Sequence, residues 1–165
     1  YGRRRRMRGA ARCTEAAAGA PIRERINYTL VGAVANQASR LEGMNKVYGT
    51  EVLASGEVAN LTADRFVWRH IDRIVAVGTT EMHDIHEPLG EIASAADHAE
   101  LLAHWQAGRT AYVEGRFEAA IACFGEAAVL RPGDGPSRVF MARCTEFLRS
   151  GTPNGWDGIW RLDSK

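Results

Sequence analysis

The stretch RINYTLVGAVANQASRLEGMNKVYGT, residues 25–50, is where a regular apolar pattern begins, and it determines the fold class. Ile26, Tyr28 and Leu30 alternate with polar residues, a pattern that predicts a β-strand. From residue 34 the apolar spacing changes to three or four residues, which predicts a helix that ends at Gly49. A strand followed directly by a helix indicates a mixed α and β domain.

The segment that follows residue 50 predicts further strands. We expect a short strand at residues 51–53 and a short helix, N-capped by Ser55, that runs to about Leu61. Residues 66–86 have the pattern of a β-hairpin, with a turn or bulge near Asp72 and a turn at residues 78–79.

The character of the chain changes near residues 88–91. The segment beyond is rich in Ala, Leu and charged residues, and it predicts helices at 95–114, 117–130 and 136–149. Gly115 separates the first two, and PGDGP at residues 132–136 separates the last two. The predicted fold class is α/β (α+β), with a mixed half followed by a small α-helical appendage.

Composition and charge exclude several classes of protein. The 165 residues are 45% hydrophobic and 25% charged with a net charge of +1, which is ordinary for a globular protein and not for a nucleic-acid-binding protein. Residues 1–24 contain seven arginines, six of them within the first twelve residues, and no apolar period, so we expect an irregular arm. A basic patch for nucleic acid or anionic lipid is the alternative, but no aromatic residues are interleaved with these arginines.

The three cysteines, Cys13, Cys123 and Cys144, lie far apart and lack the spacing of metal ligands. An odd number without a CxxC pair indicates reduced thiols and therefore a cytoplasmic location. No run approaches the roughly 20 apolar residues of a membrane helix.

Residues 25–91 resemble the C-terminal half of the class III adenylate/guanylate cyclase catalytic domain. The family pattern R-x-x-Y-T-x-x-G-[DN]-x-V-N-x-A-[SA]-R-L-E is matched at ten positions: Arg25, Tyr28, Thr29, Gly32, Asn36, Ala38, Ser39, Arg40, Leu41 and Glu42. Residues 71–79 resemble the distal hairpin of the same family. The resemblance implies a partial ferredoxin-like domain that pairs with a second cyclase domain, as a homodimer or a heterodimer.

The resemblance also implies a reaction and its site. The family converts ATP to cyclic AMP and pyrophosphate, with Mg²⁺ or Mn²⁺ held by two aspartates. Asn36 matches the residue that orients the ribose, and Arg40 matches the one that stabilises charge at the α-phosphate. Thr29 matches the position that contacts the adenine edge, which favours ATP over GTP. A polar pair four residues apart on a helix lies on one face, and a guanidinium suits phosphate oxygens.

The chain also departs from the family pattern. The metal-binding aspartates belong to the half of the domain that would precede residue 25, and residues 1–24 contain no Asp. Ala33 stands where the family has Asp or Asn, and Val77 and Thr79 stand where it often has lysines. His83, Asp84 and His86 are the remaining candidate metal ligands, but at most two share a strand face. We therefore expect no metal site in this chain.

Residues 101–134 resemble one tetratricopeptide repeat, with small or aromatic residues at the positions that this repeat requires. The expected organisation is an arm at 1–24, a half cyclase domain at 25–91, a repeat-like helical segment at 92–150 and a tail at 151–165. Trp156 and Trp160 in the tail are expected to be packing anchors. The tail is similar to that of bacterial membrane-linked cyclases, so a membrane association would come through an absent N-terminal region.

These patterns lead to a functional hypothesis with an alternative. We expect an adenylate cyclase-related chain that supplies the ribose and transition-state half of a site and is inactive without a metal-bearing partner. We expect the abrupt start of the pattern to reflect either a fragment of a longer protein or a shifted reading frame. The alternative is an inactive remnant, or an interaction module that binds a protein partner through its helical repeat.

Overall fold

The computed structural model describes residues 33–75 and 82–161, and for residues 33–40 and 161 it describes the backbone alone. In chain order the elements are α1 (Ala33–Tyr48), β1 (Ala54–Ser55), α2 (Gly56–Leu61), β2 (Phe66–Val75), β3 (Met82–Glu91), a 3-10 turn (Ile92–Ser94), α3 (Ala95–Val113), α4 (Phe117–Leu130), α5 (Gly135–Ser150) and β4 (Trp160–Arg161). The predicted α+β class is confirmed. The strand predicted from Ile26 to Val31 and the arm at residues 1–24 lie outside the described residues.

The described strands form one sheet in the order β1-β3-β2-β4. β3 pairs antiparallel with both β1 and β2, whereas the short β4 pairs parallel to the end of β2. Two boundaries differ from the prediction. The short strand lies at Ala54–Ser55 rather than at 51–53, because Ser55 both ends the strand and caps α2 by accepting a hydrogen bond from the Val58 N–H.

The second difference is the length of β3, which continues past His86 to Glu91. Pro88 lacks an N–H and would normally end a strand. Here it lies opposite Trp68, at a point where the pairing register of β2 and β3 shifts. A register shift of this kind tolerates a residue that cannot donate to the ladder, so the strand continues.

The bulge predicted near Asp72 is confirmed. His70 pairs with His86 and Asp72 pairs with Ile85, so Ile71 is the extra residue. Because the bulge interrupts the alternation of side chains, both Ile71 and Asp72 are fully buried. The indole N–H of Trp105 in α3 donates to the His70 carbonyl at 2.7 Å, which attaches the helices to this irregular point of the strand.

The hydrophobic core is shared between the sheet and the helices. It joins Tyr48, Ile71 and Ile85 to an aromatic cluster built by α3, α4 and α5, with Trp105, Tyr112, Phe124 and Phe140 at its centre. Trp156 and Trp160 pack against the same core. The domain boundaries stay a prediction. Within the described residues, no helix is long and apolar enough to cross a membrane.

The helices α3 and α4 meet at a glycine. A Cβ added at Gly108 would lie 2.7 Å from the Phe124 ring, which is itself held between Trp105 and Phe140 at centroid distances of 5.1 Å. We expect Gly108→Ala to lower the free energy of unfolding by about 1–3 kcal/mol, measured by urea denaturation.

The matched control is Gly125→Ala on the neighbouring helix α4, where nothing lies within 4 Å of the added methyl group. Alanine is the better helix former, so this variant should gain roughly 0.5–1 kcal/mol. Equal effects of the two substitutions would contradict the close packing of α3 on α4.

Candidate functional site

Two of the three predicted site residues lie on α1. The backbone from Ala33 to Tyr48 is helical, so Asn36 and Arg40 occupy positions one turn apart, about 6 Å along the axis. The α-helix that their spacing requires is therefore present. Thr29 lies outside the described residues, as do Val77 and Thr79.

The C-terminal half of α1 is attached to the core. Leu41 and Met44 pack against it, and Tyr48, the last residue of the helix, is fully buried. Gly49 follows with φ of 65°, the left-handed conformation that ends many helices, and this confirms the predicted helix end.

A buried group of charged and polar side chains surrounds the end of α1, and we call it the Asp72 cluster. It consists of Tyr48, Asp72, Arg109 and Arg143. The Tyr48 hydroxyl donates to Asp72 Oδ2 at 2.7 Å, Arg143 Nη1 donates to the same oxygen at 2.8 Å, and Arg109 Nη1 donates to Oδ1 at 3.0 Å. Asp72 therefore joins α1, α3 and α5 to the bulge of β2.

Aromatic rings complete the Asp72 cluster. The guanidinium of Arg143 lies 4.2 Å from the centroid of Trp160 and 5.1 Å from that of Phe140, and Arg109 lies 4.8 Å from Phe140. One carboxylate faces two cations here, and the aromatic faces stabilise the excess positive charge. Burial, followed by the charge of Asp72, raises the pKa of Tyr48 well above its ordinary value, so its hydroxyl remains a donor.

A second buried ion cluster attaches α5 to the sheet. Arg69 is fully buried and donates to Glu87 on β3 and to both oxygens of Asp134, which precedes α5. Asp134 also accepts from the Ser137 N–H and so caps α5. Burial alone would raise the pKa of Asp134, but the hydrogen bond and charge of Arg69 lower it below its ordinary range.

The histidines of β3 do not form a metal site with their neighbours. Asp84 accepts from Arg73 at 2.9 Å and 3.0 Å and contacts the His70 imidazole at 3.1 Å. Among residues 33–75 and 82–161, no group of three or more His, Cys, Asp or Glu side chains has the geometry to hold a metal ion. The described residues therefore do not fit the Mg²⁺ or Mn²⁺ that the sequence resemblance implies.

His70 on β2 and His86 on β3 form a pair of half-buried imidazoles, and this pair makes the stability of the fold depend on pH. Burial, followed by the charge of Arg109, lowers the pKa of His70 from 6.5 despite the opposing effect of Asp84 and Asp72. Burial and His70 likewise lower the pKa of His86, whose ring lies 4.8 Å away. Because the folded state binds protons less readily, stability present above about pH 6.5 is lost as the pH falls through the folded pKa values.

We expect the urea midpoint to fall between pH 7.5 and pH 5.5, and the fall to be smaller in a His70→Gln, His86→Gln double variant. His104→Gln on α3, which removes a half-buried imidazole outside this pair, is the matched control for the substitution itself. An identical pH dependence in the wild type and the double variant would contradict this assignment.

The Asp72 cluster was not predicted from the sequence. The available signal was a charge within an apolar pattern. Arg143 lies between Phe140 and Phe147 on α5, and Asp72 stands between Ile71 and Ile74 on β2. Charged residues at such core positions are buried only when they are paired, which predicts an ion network without predicting its members.

Comparisons with known proteins relate part of the chain to one enzyme. Adenylate cyclase 1 of Rhizobium meliloti (strain 1021) is 46% identical over 70 residues, which is 42% of this chain and 10% of that protein. The chain thus spans about a tenth of the length of this relative. No family model and no solved structure matches. The chain therefore contains a region related to an adenylate cyclase.

Proposed function

We propose that this chain supplies the ribose and transition-state face of a class III cyclase site that converts ATP to cyclic AMP and pyrophosphate. One observation carries the proposal: the N-x-x-x-R pattern at Asn36 and Arg40 falls on a helix in a chain with a region related to an adenylate cyclase. In this reaction the ribose 3′-oxygen loses its proton and bonds to the α-phosphate, while the bond from that phosphate to pyrophosphate breaks.

Each proposed residue has one task. Asn36 hydrogen-bonds the ribose and orients its 3′-oxygen. Arg40 donates to the α-phosphate oxygens, where negative charge increases in the transition state, and a planar guanidinium matches those oxygens. Thr29 contacts the adenine edge through its hydroxyl and thereby favours ATP.

The remaining half of the site is proposed to come from a partner. The partner is a second cyclase domain, as a homodimer or heterodimer, and it brings the metal-binding aspartates. Mg²⁺ or Mn²⁺ would act as a Lewis acid on the phosphates once bound there. No step of the proposal uses a metal ligand from this chain.

The helical segment is proposed to be tetratricopeptide-like and to serve packing. Gly108, Ala120 and Ala127 stand at positions where a tetratricopeptide repeat has small residues, so that its two helices can approach closely. Ala120 and Ala127 are fully buried. The sequence also allows a second role, in which a protein partner docks on this segment. The relationship of the chain to an adenylate cyclase does not favour that role.

The test is complementation. The purified chain is mixed with a cyclase that has its metal-bearing half and an Arg→Ala change at the position corresponding to Arg40, and cyclic AMP is measured with Mg²⁺ or Mn²⁺ and ATP. We expect turnover only in the mixture. Arg40→Ala in this chain should lower that turnover by roughly 100-fold or more.

The matched control is Arg149→Ala, because Arg149 is exposed on α5 and its hydrogen bonds among the described contacts all go to Glu146. This variant should keep wild-type turnover. No cyclic AMP from any mixture, with the chain shown to be folded and paired, would contradict the proposed function.

A further inference from the structure

The end of α1 is held by residues that come from the far end of the chain. Arg143 Nη2 donates to the Tyr48 hydroxyl at 3.2 Å, across 95 residues of sequence, while its Nη1 donates to Asp72. Arg143 is 6% exposed, and Trp160 of the tail covers it. The helical segment thus contacts the helix that carries Asn36 and Arg40, and the tail covers the arginine that makes this contact.

A close backbone approach strengthens this attachment. A Cβ at Gly135, the first residue of α5, would overlap the carbonyl oxygen of Tyr48 and would lie 2.7 Å from that of Gly49. The beginning of α5 therefore rests directly on the end of α1, and only glycine fits between them. Two separate contacts, one of backbone and one of side chains, determine where α1 ends.

The position of the end of α1 determines the position of the proposed site. An α-helix rises 1.5 Å per residue, so the backbone of Arg40 lies about 12 Å along the axis from Tyr48. A change in the direction of the helix at Tyr48 is transmitted along this length. Placement of Arg40 and Asn36 within a fraction of an ångström is what transition-state contacts require.

The composition of the Asp72 cluster favours a positioning role over a purely stabilising one. Buried ion pairs often add little stability compared with apolar residues of equal volume. Buried ion pairs do fix the relative positions of the elements that they join, because each guanidinium donates its hydrogen bonds in fixed directions. At Asp72, the two oxygens accept from three side chains of three different helices.

We propose that Tyr48 and Arg143 are positioning residues for the cyclase reaction, so that the C-terminal helical segment is a working part of the nucleotide site. They touch no substrate and act through the direction of α1. This inference rests on the proposed function, and it adds that α5 and the tail are needed for a productive Arg40.

The test uses the full chain with Tyr48→Phe, which removes one hydroxyl and keeps the ring. Tyr112→Phe is the matched control, because Tyr112 is also fully buried but its hydroxyl has no hydrogen-bond partner among the described residues. Amide hydrogen exchange is followed in α1, α3 and α4, and complementation kinetics are measured at saturating and limiting ATP.

We expect Tyr48→Phe to speed exchange in α1 by about tenfold, with α3 and α4 unchanged, which is the effect of losing one hydrogen bond to a charged group. The kcat of the mixture should fall several-fold with little change in KM for ATP, because Arg40 acts in the transition state. Arg143→Lys keeps the positive charge but loses the planar set of guanidinium donors. It should give the same faster exchange in α1 and the same fall in kcat.

The possible outcomes separate the two proposals. Equal increases of exchange in all three helices, or an unchanged α1 and kcat, would overturn the positioning role while leaving the proposed function intact. Absence of cyclic AMP from wild-type mixtures would overturn the proposed function and this inference together.

Discussion

Replacing Asp72 by alanine is expected to lower the free energy of unfolding by roughly 3–5 kcal/mol. The carboxylate is fully buried and is the shared acceptor for Arg109, Arg143 and the Tyr48 hydroxyl. Its loss leaves two guanidinium groups without an anion in the core, and the aromatic faces around them compensate only in part. Chemical denaturation followed by circular dichroism would measure this effect, which is a large fraction of the stability of a typical domain.

The control for this prediction removes the whole network. Asp72→Leu combined with Arg109→Met and Arg143→Met leaves no buried charge in the cluster, and we expect it to recover much of the lost stability. Glu146→Ala, which breaks an exposed pair with Arg149, should give no measurable change. A loss below about 1 kcal/mol for Asp72→Ala would contradict the buried network.

Replacing Arg69 by methionine should have the second-largest effect, about 3 kcal/mol. Glu87 and Asp134 would lose their common partner, and the contact of the guanidinium with the Trp105 ring at 4.6 Å would disappear. Arg131, which is 44% exposed and lies 3.1 Å from Glu87, would compensate only in part. This places the effect at the low end of the range for a broken buried pair.

The pH dependence gives the control for Arg69→Met. Since Arg69 holds the pKa of Asp134 down, its removal lets that carboxyl protonate at a higher pH. The stability deficit should therefore be largest near neutral pH and should shrink as the pH falls below about 4. Adding Glu87→Gln and Asp134→Asn should remove most of the deficit at pH 7, and a deficit independent of pH would contradict the ion network.

The helices were predictable because their signals are local. Gly49 and Gly115, with φ of 65° and 75°, and the PGDGP break separate runs with clear apolar spacing, and the observed ends lie within two residues of the predicted ones. The strand at Trp160–Arg161 was not predicted, because two residues carry no periodicity. Its pairing with Ile74 and Val75 depends on tertiary structure alone.

The candidate site was predictable only as a pattern. Asn36 and Arg40 follow from their spacing and from the resemblance, whereas the residues that hold their helix do not. Tyr48, Asp72 and Arg143 are separated by 24 and 71 residues, and no local rule connects them. The bulge that brings Asp72 inward was visible in the sequence, but its binding partners were not.

The contact of Arg143 with Tyr48, covered by Trp160, affects the order in which the chain folds. The hydrogen bond between Tyr48 and Arg143 closes a loop of 95 residues, and the entropy lost on closing a loop grows with its length. Contacts of such long range form late and slow the folding of a domain. During synthesis α1 emerges well before α5 and the tail, so the helix that carries Asn36 and Arg40 reaches its contacts only after Arg143 and Trp160 have emerged. Its final orientation is thus acquired in the last steps of folding rather than in the first.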